Sequence, residues 1–142
     1  MTFVQRTLAV LLIATALAAF FNLILTPAYH DGGADYPVWE VINWFMAAST
    51  LVALAVGLLR WRAQQRESEP SAIEYLRVRV SFYGAIVLAM LFFWEWIWTL
   101  NPESESGDAV TSHVIYFPIV DALFVVIALS AGRYLWNAAR KP

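Results

Sequence analysis

Residues 7–26 read TLAVLLIATALAAFFNLILT, twenty positions without one ionisable side chain. At a helical rise of about 1.5 Å per residue, such a stretch covers about 30 Å, the thickness of a bilayer's hydrocarbon core. Arg6 stands before it and Pro27 after it. Ala16-Leu17-Ala18 loosely resembles a signal-peptide cleavage site. The apolar run nevertheless continues through Phe20, Phe21, Leu23, Ile24 and Leu25. That is longer than a signal core of about 7–15 residues, so the segment is read as a retained membrane span.

Working outward, three more apolar stretches of spanning length occur at 39–60, 78–100 and 115–136. Pro27, Gly32, Gly33 and Pro37 interrupt the chain between the first two, and Pro102 and Gly107 between the last two. The middle connection, 61–77, is polar, and Ser71 to Glu74 has the spacing of a capping box that starts a helix. That helix is expected to lie on the membrane surface before turning inward. The predicted architecture is an all-α membrane protein, a four-transmembrane-helix bundle forming one domain over residues 1–142.

Composition agrees: 61% of the 142 residues are hydrophobic and 14% charged. A soluble domain this small buries only about two-thirds of its unfolded surface and has no place for so much apolar area. With no cysteine, disulfides, thiolate metal sites and iron–sulfur clusters are excluded.

The basic residues set a direction. Arg6, Arg60, Arg62, Arg66, Arg77, Arg79, Arg133, Arg140 and Lys141 are all nine, and every one falls on the same side of the spans. The other two loops, with the adjoining start of the second span, hold Asp31, Asp35, Glu40, Glu103, Glu105 and Asp108 and no Lys or Arg. The positive-inside rule then puts both termini and the middle loop in the cytoplasm of a multi-pass protein of the cell's inner (plasma) membrane. The tryptophans Trp39, Trp44, Trp61, Trp96, Trp98 and Trp136 fall near span boundaries, as an aromatic belt at the headgroups would.

An internal repeat is suggested. Leu54 to Trp61 aligns with Leu129 to Trp136 with leucine, glycine and tryptophan in common, and spans one and three each carry a Phe-Phe pair. Both halves start on the same side, so two repeated hairpins would be related by an axis along the membrane normal.

Polar residues inside spans are expensive in lipid and mark candidate sites. Each span contributes one at similar depth in the outer third: Asn22, Asn43, Glu95 and Asp121. His30, His113 and Asp108 lie in the loops above. Three chemistries fit such a layer. It can be a hydrogen-bonded plug that fixes helix packing. It can be a divalent metal site built from Glu95, Asp121, His113, His30 and Asp108, since carboxylates and imidazoles together suit zinc, iron, copper or manganese. It can be a proton or cation pathway through Glu95 and Asp121, two carboxylates placed to exchange protons.

Nucleotide motifs and catalytic triads are not visible. Haem is not expected, because no histidine lies within a span to serve as an axial ligand. Nucleic acid is not an expected partner, since the arginines read as topology signals and contacts with anionic lipid. The small residues of spans one and two, among them Ala14, Ala18, Ala47, Ala48 and Gly57, predict that these two spans pack tightly together. Span three is bulky and aromatic. The leading expectation is a non-enzymatic accessory or structural subunit of a larger membrane complex, bound to partner subunits or to copies of itself. A small transporter or proton/cation-pathway component and a metal-binding enzyme subunit are the alternatives.

Overall fold

A computed structural model of the chain describes residues 2–31, 36–66, 71–100 and 115–140. They form four helices, each long and apolar enough to cross a membrane: α1 (Thr2–Tyr29), α2 (Pro37–Gln64), α3 (Ala72–Thr99) and α4 (Phe117–Ala138). The first three have 28 residues each and α4 has 22. Twenty-eight residues extend about 42 Å, enough to pass through the headgroup region as well as the hydrocarbon.

Local chemistry fixes the ends. Pro37 sits at the first turn of α2, where its missing N–H costs no helical bond, and Glu40 places a negative charge beside the positive end of the helix dipole. Ser71 caps α3, its hydroxyl accepting from the Glu74 amide at 3.3 Å. Among the described residues the expected surface helix is not a separate element, because the turn begun at Ser71 runs without a break into the span. Pro27 also fails to end α1: it forfeits one hydrogen bond, yet the His30 amide still reaches the Thr26 carbonyl at 2.9 Å.

The helices run alternately up and down. Trp44 meets Trp96 edge to face at 4.7 Å and Arg60 meets Glu74 at 3.2 Å, so α2 and α3 are antiparallel. Arg60 also lies over the Tyr134 ring at 4.1 Å, and Ala53 shares a cavity with Ile127, so α2 and α4 are parallel. Around the bundle the order is α1, α2, α3, α4, with α2 and α4 touching across the middle. The core is built from Leu12, Met46, Leu88, Phe92 and Phe124, all fully buried, with alanines between them.

The chief partner of α1 is α4 rather than α2, and that of α2 is α3. The reason is a glycine in each interface. A β-carbon on Gly132 would come within 2.8 Å of Ile13 Cγ1 and 3.3 Å of the Ala9 carbonyl oxygen, so the α1 backbone lies directly against it. One on Gly57 would lie 3.3 Å from the Phe82 α-carbon of α3. Ala9 of α1 therefore lies against α4, and the expected pairing of spans one and two is present as a smaller interface.

At the end holding the described arginines, Glu74 ties α2 to α3. It accepts from Arg60 at 3.2 Å and from Arg77 at 2.8 Å. The Arg60 side chain is 8% exposed and that of Arg77 62% exposed. Glu74→Ala is expected to destabilise the bundle by about 1–3 kcal/mol, because it strips a buried guanidinium of its anion. Arg77→Ala removes only a solvated partner, worth under about 1 kcal/mol. Unfolding midpoints in mixed detergent compare the two.

Candidate functional site

The polar residues of the outer third, meaning the third farthest from the arginine-bearing end, come from all four helices. Asn22 belongs to a network on α1 and α2. Its Oδ1 accepts from the Tyr29 hydroxyl at 2.9 Å, and its backbone carbonyl accepts from the Thr26 hydroxyl at 2.6 Å. Thr26 in turn receives the Trp39 indole N–H at 3.0 Å. The Asn22 side-chain nitrogen is buried and has no protein partner. Asn43 is buried, and its Oδ1 likewise has no partner. Asp121 is 2% exposed, and among the described residues its carboxyl makes no hydrogen bond or ion pair.

Heights follow from the helix contacts. Gly132 against Leu12 puts Asp121 within about one residue, or 1.5 Å, of the level of Asn22. Ala53 beside Ile127 puts Asn43 about one turn, near 6 Å, further out than Asp121. Gly84 against Ile127 puts Glu95 about five residues, near 7 Å, further out than Asp121 on the neighbouring helix. Glu95 is half-buried. Asn22 and Asp121 thus share one level, while Asn43 and Glu95 form a second level above them. The two carboxyls share no hydrogen bond.

His30 stacks on Tyr36 with ring centroids 3.9 Å apart and planes 10° from parallel, at the outer turn between α1 and α2. Asp108 and His113 lie outside the described residues. Among the described residues no three of the acidic and histidine side chains come together closely enough to hold a metal ion.

Burying a carboxyl without hydrogen bonds is costly, and burying it charged far more so. Within hydrocarbon no solvent relieves the cost. Asp121 therefore needs a proton, a cation or a polar molecule as its companion. The nearby amides offer one unmet donor group, on Asn22, and one unmet acceptor, on Asn43.

Sequence reasoning passed over the interior of α2. Ser49 and Thr50 are fully buried and their hydroxyls have no partner, and Gln64 is 7% exposed with both side-chain polar atoms unpaired. A signal was present: Asn43, Thr50, Arg60 and Gln64 follow helical spacing on one stripe, with Ala47, Ala53 and Gly57 between them. Thr26, Tyr29 and Trp39, the partners of Asn22, were also missed, Trp39 having been read as part of the headgroup belt.

Set against known proteins, the chain matches no family model, no curated protein and no solved structure.

Proposed function

We propose that this chain is a small membrane component whose bundle presents Asp121 as a proton- or cation-accepting carboxyl in the outer third of the membrane. One observation carries the reading: Asp121 is buried to 2% exposure in a helix of spanning length, without a protein partner among the described residues. A side chain kept only to fix packing would be hydrogen-bonded, as the Asn22 amide oxygen is to the Tyr29 hydroxyl. In this reading the chain sits in the cell's inner (plasma) membrane, its arginine-bearing end faces the cytoplasm, and the acidic loops face out. The repeat fits the same picture. The aligned Gly57 and Gly132 both sit at close helix contacts, α2 on α3 and α4 on α1, as a twofold axis through the bundle would require.

The test is ion flux into liposomes containing the purified chain. Asp121→Asn is expected to lower proton or cation flux at least tenfold, and Glu95→Gln less, since Glu95 is only half-buried. Wild-type flux in Asp121→Asn would overturn the reading.

A second reading, the accessory subunit, draws on α3. It is the least buried of the four helices. Tyr83, Val87, Met90, Trp94 and Ile97 form one exposed stripe along it, each between 49% and 68% exposed. Aromatic residues of this size suit a partner helix. Native mass measured after gentle extraction should exceed one chain, and a stable monomer that co-purifies with nothing would discard this reading.

A further inference from the structure

Beneath Asp121, the buried face of α2 carries polar groups down to the arginine-bearing end. Counting inward, they are Ser49 and Thr50, then Arg60, then Gln64. Ala53 beside Ile127 and Arg60 over Tyr134 give the same α2–α4 register, which places Asp121 level with Ala47. The Ser49 and Thr50 hydroxyls therefore begin about two to three residues, or 3–5 Å of height, below the carboxyl.

Among the described residues these are the fully buried hydroxyls that have no partner. A threonine in a helix ordinarily donates to a carbonyl one turn back. Thr7 does so to Phe3 at 3.1 Å and Thr26 to Asn22 at 2.6 Å. Ser49 and Thr50 do not, although both are fully buried where a free hydroxyl is most expensive. Directly below them lies a cavity of about 10 Å³ lined by Ala53, Gly57, Arg60, Ser81, Ile127 and Ala131. That volume is about the size of one water probe. Ser81 and Arg60 both line this cavity, and one turn further Gln64 adds an unpaired amide.

We propose that this column is a proton route between Asp121 and the arginine-bearing end, running through Ser49 and Thr50, the water-sized cavity below them, and further waters that link these groups, since neither hydroxyl reaches another protein oxygen directly. The inference rests on Asp121 being the accepting carboxyl, and it narrows the transported species to the proton. Each hydroxyl or water accepts one proton on an oxygen lone pair and releases its own to the next oxygen. A proton leaving Asp121 is thus matched by one delivered at the inner end, with no oxidant or reductant involved. A metal cation does not fit. It would have to shed its hydration in a space for one water walled by alanine, glycine and isoleucine, beside the Arg60 cation. Arg60 does not close the route to protons by an unopposed charge, because Glu74 lies 3.2 Å from its guanidinium and the Tyr134 ring covers it at 4.1 Å.

The experiment uses the full chain in liposomes, a potassium diffusion potential set by valinomycin as driving force, and an internal pH dye as probe. Parallel vesicles with a sodium-sensitive dye report metal-cation flux. The wild type is expected to pass protons and no sodium. Ser49→Ala/Thr50→Val, close in shape to the native side chains, should cut proton flux at least fivefold. Ala53→Leu, which fills the cavity, should do the same. Infrared spectra of the carboxyl C=O stretch report whether the Asp121 site is intact: the hydroxyl variant should keep the band while its exchange with deuterium slows. If Asp121→Asn abolishes flux but both column variants conduct like the wild type, the route is wrong and the Asp121 reading stands. If Asp121→Asn conducts normally, the accepting carboxyl itself is refuted. Sodium flux, or no proton flux in the wild type, overturns the route.

Discussion

Gly132→Leu is expected to detach α1 from α4 and lower the stability of the bundle by several kcal/mol. Even the β-carbon of an alanine at this position would lie 2.8 Å from Ile13 Cγ1, 3.2 Å from Leu12 Cβ and 3.3 Å from the Ala9 carbonyl oxygen. Two of these atoms sit close to or on the backbone, so no rotamer change clears all three. Overpacking costs about 1–3 kcal/mol where neighbours can adjust, and leucine adds three more carbons. Gly84 provides the control. Its β-carbon would meet Ile127 Cδ1 at 2.8 Å, the far end of a flexible side chain, and little else. Gly84→Ala should therefore cost under about 1 kcal/mol. Tryptophan fluorescence during unfolding in mixed detergent measures both, and equal losses would mean that the α1–α4 contact does not limit stability.

Asp121→Leu is expected to act in the opposite sense, raising stability by about 1–3 kcal/mol while removing flux. Leucine has nearly the branched outline of aspartate, and it replaces a carboxyl on a residue 2% exposed, without a partner among the described residues, with methyl groups. The desolvation cost of an unmet polar group, about 1–3 kcal/mol in proteins, is then recovered. Asn22 and Asn43 already hold unpaired atoms and lose no hydrogen bond to Asp121 in the exchange. A gain in stability bought with lost activity is the pattern of a residue kept for function. A variant that unfolds more readily than the wild type would instead make Asp121 a structural residue.

The helices themselves were readable in the sequence, because about 20 apolar residues in succession have few structures available to them other than a membrane helix. The start of α3 was readable from Ser71 and Glu74, a local interaction between residues three apart. Helix pairing was not. Lipid is as apolar as the helices, so hydrophobicity gives no preference among neighbours, and the alanines of α1 suit α2 as well as α4. Only the fit of Gly132 against Leu12 and Ile13 decides between them, and that fit depends on rotation about two helix axes. The same applies to the polar layer. Depth can be counted along a span, so the common level of Asn22 and Asp121 was visible. That Asp121 faces inward to full burial while Glu95 is half-exposed follows from helix rotation, which a list of four polar residues does not contain. Ser49 and Thr50 escaped notice because hydroxyls in apolar helices ordinarily satisfy themselves on their own backbone.

The dominance of the α1–α4 contact bears on how the chain assembles. A ribosome delivers α1 to the membrane about a hundred residues before α4 emerges, so the earliest helix waits longest for its main neighbour. Meanwhile α2 and α3 can already join as a hairpin, and α1 is held only by its smaller contact with α2, its α4-facing side sheltered by acyl chains. Bundle closure is then the last event of biogenesis, set by entry of the final helix rather than by the first contacts made. A chain interrupted before that point would leave α1 loosely held and open to membrane proteases, which gives the cell a simple means of recognising incomplete copies.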